Sequence, residues 1–259
     1  MPYSRLQCFA LLAFLLAEGV FASEASNLRK LRKEAEKGSA EAQVSLGGIY
    51  ERGEGVPANV GEAMKWYRLS ADQGNTDAQA LVGIGYLSGV GVPHDPREGT
   101  KWLNLAALKG HPFAQLALGA AYLEGLGVPK DTNESAKWLR LAAEQGLAEA
   151  QVRLAHLFFN LYLDGKEDQE ELKEGAKWAL LAADQGSAEG QFYLGMAYDD
   201  GAGVPQDSSE SYIRFSLAVA AGLQGAEKAR DEQATRLSPT ELRAAQAEAT
   251  RRFSALDKK

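Results

Sequence analysis

Four glycine-rich stretches, "RGEGVP", "SGVGVP", "EGLGVP" and "DGAGVP", are the first places in this chain where residue type and spacing could do chemistry. Glycines that free backbone N–H groups ahead of a helix can cradle a phosphate. A nucleotide loop of that kind follows a strand and appears once. Here the stretch occurs four times, ends each time in proline and recurs with the scaffold, so its glycines are read as corners that need positive φ. Metal chemistry has as little support. His94, His111 and His156 lie far apart, with no His-x-x-x-His pair, and the only cysteine is Cys8, so a zinc site is not expected. "DGKEDQEE", Asp164 to Glu171, spaces carboxylates along a loop but lacks the glycine and the final glutamate of a calcium-binding hand. No nucleophile elbow or paired-carboxylate constellation can be argued from the scattered serines and acids. The expectation is a chain with no catalytic residues, no metal and no cofactor.

The recurrence of the glycine stretch shows what positions it. Gly38, Gly74, Gly110 and Gly146 each end an alanine-rich segment at intervals of 36 residues, Gly186 follows after 40 and Gly222 after 36 again, giving five units with four extra residues in the fourth. Past each marker come Ala42-Gln43, Ala78-Gln79, Ala114-Gln115, Ala150-Gln151 and Gly190-Gln191. Further on, Ala42, Leu46, Gly47 and Tyr50 fall on one helical stripe, helix A, with counterparts in every unit. Trp66, Trp102, Trp138 and Trp178 each stand eight residues before a marker, in helix B. Each unit therefore reads helix A, glycine loop, helix B, turn. Gly47, Gly83, Gly119 and Gly195 inside helix A should each cost about 1 kcal/mol against alanine. Close approach by a tryptophan or tyrosine of a paired helix is the expected reason. The recurring glutamines are expected to bond within or between units.

These Ala-x-x-x-Leu-Gly-x-x-Tyr, Gly-x-Gly-Val-Pro, Trp and Ala-Ala-x-x-Gly elements resemble the Sel-one-like repeat family, a relative of the tetratricopeptide repeat, from about Ser39 to Gly222. The resemblance implies an all-α fold: a right-handed superhelical α-solenoid of five helix-turn-helix repeats with N- and C-terminal capping helices, used as a binding scaffold or adaptor. Some cysteine-rich family members are linked to β-lactam hydrolysis. Once Cys8 leaves with the leader, this chain has no cysteine, so the enzyme reading has no motif behind it.

Residues 1–22 read as a secretory signal peptide: Arg5, an apolar run from Leu6 to Ala17, and Val20 and Ala22 at the small-residue cleavage positions. The run is too short to span a bilayer. Residues 23–38 read as an N-terminal capping helix with Leu28, Leu31 and Ala35 in the register of helix B, 39–222 as the five repeats and 223–259 as C-terminal capping helices. Within the last segment, Ala226 to about Arg236 continues as a sixth helix A, and Ser238, Pro239 and Glu241 form a capping box. The expected location is the periplasm or the exterior, with no transmembrane segment in the mature chain. A net charge of −7 excludes a surface built for nucleic-acid phosphates.

Tetratricopeptide geometry would line a concave groove with helix-A residues beside the apolar stripe. That places Phe113, Leu116, Leu123, Val152, His156, Phe159, Phe192 and Met196 in the groove, with Glu124, Glu149, Glu189, Asp199 and Asp200 as an acidic rim. An apolar groove with charged edges suits a protein or peptide partner. Cell-wall glycan is the alternative occupant. The fourth unit, where "FNLYLDGKEDQEELKEG" replaces the glycine loop, is expected to have a longer helix A and a protruding acidic loop. Mass spectrometry of the exported protein should find Ser23 as its first residue.

Overall fold

The computed structural model describes residues 26–163 and 169–256, all helix, turn and loop with no strand among them. The segment read as a signal peptide lies outside the described residues, as do residues 164–168 of the acidic run. Among the described residues thirteen helices follow one another: α1 (26–36), α2 (Ala40–Arg52), α3 (Val60–Asp72), α4 (Thr76–Ser88), α5 (Pro96–Leu108), α6 (Pro112–Glu124), α7 (Thr132–Glu144), α8 (Ala148–Leu163), α9 (Gln169–Asp184), α10 (Ala188–Asp200), α11 (Ser208–Ala220), α12 (Ala226–Arg236) and α13 (Pro239–Leu256). They group into two compact units, divided between Lys130 and Asp131. In the first, α2 packs on α3, α3 on α4, α4 on α5 and α5 on α6. In the second, consecutive helices from α7 to α12 pack in the same way and α13 lies against α11.

Local chemistry sets where these helices start and stop. Ser39, Asn75, His111 and Ser187 cap the helices A by accepting a backbone N–H, His111 through Nδ1 at 3.2 Å from Ala114 N. Asn59, Asp95, Asp131 and Asp207 do the same for helices B. Helices A end in left-handed glycines, Gly53, Gly89, Gly125 and Gly201, which are the first glycines of the four loops. The second loop glycine has another task. A Cβ on Gly91 would stand 2.8 Å from the Val60 carbonyl oxygen, and one on Gly127 or Gly203 would overlap the carbonyl of Pro96 or Leu172. The loop thus lies directly on the first turn of the preceding helix B, and the corner is also a spacer.

The helix-A glycines are notches, as expected, but the residue that fills them is mostly another. A Cβ on Gly47 would stand 2.5 Å from Tyr67, one on Gly83 2.7 Å from Leu103, and one on Gly195 2.8 Å from Phe215. In the first two cases the filler is the residue after the tryptophan, which points about 100° further round the helix. Two of the tryptophans find a polar partner instead: Trp102 and Trp178 donate Nε1–H to Glu98 and Glu174 at 3.0 Å, whereas Trp66 Nε1 is buried with no acceptor among the described residues.

The recurring glutamines are buried, and each amide donates to the helix that precedes its own. Nε2 of Gln43, Gln79, Gln115, Gln151 and Gln191 donates to the carbonyls of Ala35, Ala71, Ala107, Ala143 and Ala183, at 3.0–3.2 Å. Oε1 accepts from helix B of its own repeat or the turn after it: from Gln73 to Gln43 at 2.7 Å, Gln185 to Gln151 at 2.8 Å, and Arg214 to Gln191 at 3.2 Å. Helix α1 behaves as half a repeat. Arg32 donates to the hydroxyl of Tyr50, as Arg68, 36 residues on, donates to Tyr86.

The fourth repeat adds its four residues differently from the expectation. Both α8 and α9 have 16 residues where other repeats have 13. The helix A is longer, as read, but Gln169–Glu171 belong to α9 rather than to a loop. Carboxylates in a first helical turn face the positive end of the helix, which favours that outcome.

Two substitutions in repeat five separate the roles of glycine. Gly203→Ala and Gly222→Ala both force alanine to positive φ, but a Cβ at Gly222 meets nothing within 4 Å. Gly222→Ala should cost about 1 kcal/mol and Gly203→Ala about 3 kcal/mol, measured as urea unfolding midpoints.

Candidate partner-binding surface

Each helix A turns its leucine stripe (Leu46, Val82, Leu118, Leu154, Leu194) inward, where these side chains are at most 2% exposed. The opposite arc faces solvent. In the first unit that arc carries Ile84, 40% exposed, and Phe113, 54% exposed, with Val44, Leu81 and Leu123 half-buried around them. Ile84 was not singled out by sequence reasoning. Its signal is register: Gly48, Ile84, Ala120, His156 and Met196 occupy one repeat position.

In the second unit α8 and α10 lie side by side, and their uncovered arcs form one patch. His156 is exposed, and Val152, Phe192 and Met196 are half-buried. Tyr193, absent from the expected set, holds the patch together: its ring lies 5.5 Å from His156 and stacks on Phe159 at 6.2 Å and 18°. Phe192 packs on Phe215 at 5.3 Å. Two residues expected in the groove are placed otherwise. Leu116 and Phe159 are buried, at 8% and 4% exposure. Phe159 lies on the edge of α8 that meets α10, so Tyr193 covers it. Both act in packing, and the accessible set is Phe113, Ile84 and Leu123 in one unit and Val152, His156, Tyr193, Phe192 and Met196 in the other.

Charge is arranged around the second patch. Glu149 is bonded to Arg153 at 2.9 Å within α8. Asp199 takes the guanidinium of Arg236 from α12. Asp200 has no hydrogen-bonded cation among the described residues, and burial, with Asp199 beside it, pushes its carboxyl above the ordinary aspartate range. Burial and the Arg153 charge hold the His156 imidazole below its ordinary value, so it is neutral at neutral pH. Asn160 Nδ2 lies 2.7 Å from Nε2 of that ring. Among the described residues no three His, Cys, Asp or Glu side chains converge as metal ligands. The patch offers apolar and aromatic contact, one neutral imidazole and a carboxylate without a hydrogen-bonded cation, which are means of recognition.

Comparison with known proteins decides the family. The family model for the Sel1 repeat matches residues 40–75, 76–111, 112–147, 148–187 and 188–223. The chain is a Sel1 repeat protein. Its five repeats coincide with the units read from the marker glycines and make it an all-α solenoid protein. Among solved structures, a Sel1 repeat protein from Oxalobacter formigenes is similar at 24% identity and TM-score 0.72, over 93% of this chain and 99% of that one. The protective antigen c5321 of uropathogenic Escherichia coli, which displays an SLR fold, is 30% identical at TM-score 0.52. It covers 88% of this chain, while this chain spans 56% of that one. No curated protein matches. Sel1 repeats are scaffolds that commonly serve protein interaction, and no described helix of this Sel1 repeat protein is long and apolar enough to cross a membrane.

Asp200 gives a pH-dependent test. Its proton is held more tightly in the folded state than in the unfolded chain, so it contributes instability that is absent below the ordinary aspartate range and appears as pH rises through the raised value. Asp200 also ends α10, where a negative charge opposes the helix dipole. Asp200→Asn should therefore raise stability at neutral pH by about 0.5 kcal/mol and leave it unchanged in strong acid, read from thermal unfolding at both pH values.

Proposed function

We propose that this Sel1 repeat protein is an exported, non-catalytic scaffold that holds a protein or peptide partner on the uncovered faces of its helices A. One observation carries the reading. Positions used for packing repeat, such as Leu46, Val82, Leu118, Leu154 and Leu194, whereas the position that exposes Ile84 and His156 changes chemistry each time, through a buried Gly48, Ile84, Ala120, His156 and Met196. A constant frame with a variable face is how a repeat array acquires specificity. The fold does not need an isoleucine at position 84 or a phenylalanine at 113, since both leave much of their apolar surface in water.

Export is supported by Arg5 followed by the apolar run from Leu6 to Ala17. The uropathogenic relative's description as a protective antigen fits a protein reached by antibodies outside the cell.

A photo-crosslinking residue placed at Ile84 or Met196 tests the reading in living cells. Both positions should capture a protein partner, and a crosslinker at Lys137, on the solvent side of α7, should capture far less. Capture only at Lys137, or of glycan alone at the helix-A positions, contradicts the proposal.

A further inference from the structure

The last turn of α10 places Asp199 and Asp200 side by side where the free carbonyls of a helix end already make the potential negative. Neither carboxylate supports the helix it ends. The equivalent positions of the other repeats hold Glu51 and Arg52, Leu87 and Ser88, Leu123 and Glu124, and Phe159 and Asn160, so the repeat itself does not require a pair of acids there. A charge kept where it opposes the helix is explained when something positive rests on it. The chain supplies half of that explanation: Arg236, from α12, brings a guanidinium to Asp199. Asp200 feels the same guanidinium at longer range but has no hydrogen-bonded cation of its own among the described residues. A divalent metal does not fit, because magnesium and calcium take six or more oxygens, zinc takes four ligands, and among the described residues no third acidic, histidine or cysteine side chain joins these two.

Beside this acidic end lies the patch described above. Met196 stands four residues before Asp200 on the same face of α10, about 6 Å along the axis, and Tyr193 about 10 Å; His156 lies against Tyr193. An extended chain advances about 3.3 Å per residue, so two or three residues span the distance from the aromatic patch to the carboxylate.

We propose that the face formed by α8 and α10 binds an extended segment of a partner protein in which an arginine or lysine stands two or three residues from an aliphatic or aromatic residue. The cation pairs with Asp200 next to the guanidinium of Arg236, and the apolar side chain rests on Met196, Tyr193 and His156. The inference rests on the partner-binding reading and names the chemistry of the partner.

Selection of random peptides displayed on phage against the purified protein tests it. The enriched peptides should carry the basic residue at that spacing. A labelled synthetic copy of the best one should lose about tenfold in affinity on Asp200→Asn, lose it also on Met196→Asp, and be unaffected by Glu144→Gln on α7. Because Asp200→Asn is expected to stabilise the fold, unfolding does not account for the loss. Enriched peptides without a basic residue, or ones indifferent to Asp200→Asn yet lost on Met196→Asp, overturn the inference and leave the partner-binding reading standing. Failure to enrich any peptide that depends on Met196 overturns the inference, and failure to enrich any that depends on either Met196 or Ile84 overturns both.

Discussion

In each repeat the side-chain amide of one buried glutamine donates to the last-turn carbonyl of the preceding helix B. For Gln43, Gln151 and Gln191, a group from the helix B that follows, or from the turn after it, donates to the same amide. One side chain thereby fixes three helices against each other. A buried carbonyl left without its donor costs about 1–3 kcal/mol. Each of these carbonyls also accepts the marker glycine's N–H at 2.9–3.0 Å, so an apolar residue of equal size removes the second of two donors there and, for Gln43, Gln151 and Gln191, also leaves the donor on Oε1 without its acceptor. The interaction recurs with the repeat, and with it recur the three-residue turns, the notch glycines and the loops that lie on the helix below.

Once packing is fixed in this way, the outer arc of helix A is released from structural duty. That is where residue chemistry varies from repeat to repeat, and where the structure tolerates arrangements that stability alone does not favour. Exposed Phe113 and Ile84 are of this kind, as is the carboxylate pair at the end of α10. The unfavourable charge of Asp200 and the exposed aromatic patch beside it stand on one helix, which links a small loss of stability to a capacity for recognition.

Much of the frame was legible in the sequence because identical packing demands identical residues at a fixed period. The five repeats, the glycine corners, the proline at the start of α5 and the capping box of Ser238 and Glu241 all follow from local chemistry and are present. Orientation around a helix was less legible. A helical wheel shows which residues leave the apolar stripe, but not which of them meet the neighbouring helix A, so Phe159 was read as groove and is core. Tyr193 was missed because its repeat position otherwise holds Ser45, Leu81, Ala117 and Arg153. A tryptophan or tyrosine of the paired helix is the expected filler of the notch, and Tyr67 meets that at Gly47; the position after the tryptophan, which varies through Tyr67, Leu103 and Phe215, does the filling. Acidity in the fourth repeat suggested a loop, whereas Glu170 and Glu171 begin a helix.

The central claim is that the frame and the face are separable. Its most direct measurement is the urea unfolding of two variants: one with Ile84, Phe113, His156 and Met196 all replaced by serine, the other with the single change Gln191→Ala. The account predicts that the quadruple variant unfolds within about 1 kcal/mol of the parent despite four substitutions, while Gln191→Ala alone loses about 2 kcal/mol. A quadruple variant that loses more than the single glutamine change would show that the face is part of the frame, and would contradict the account.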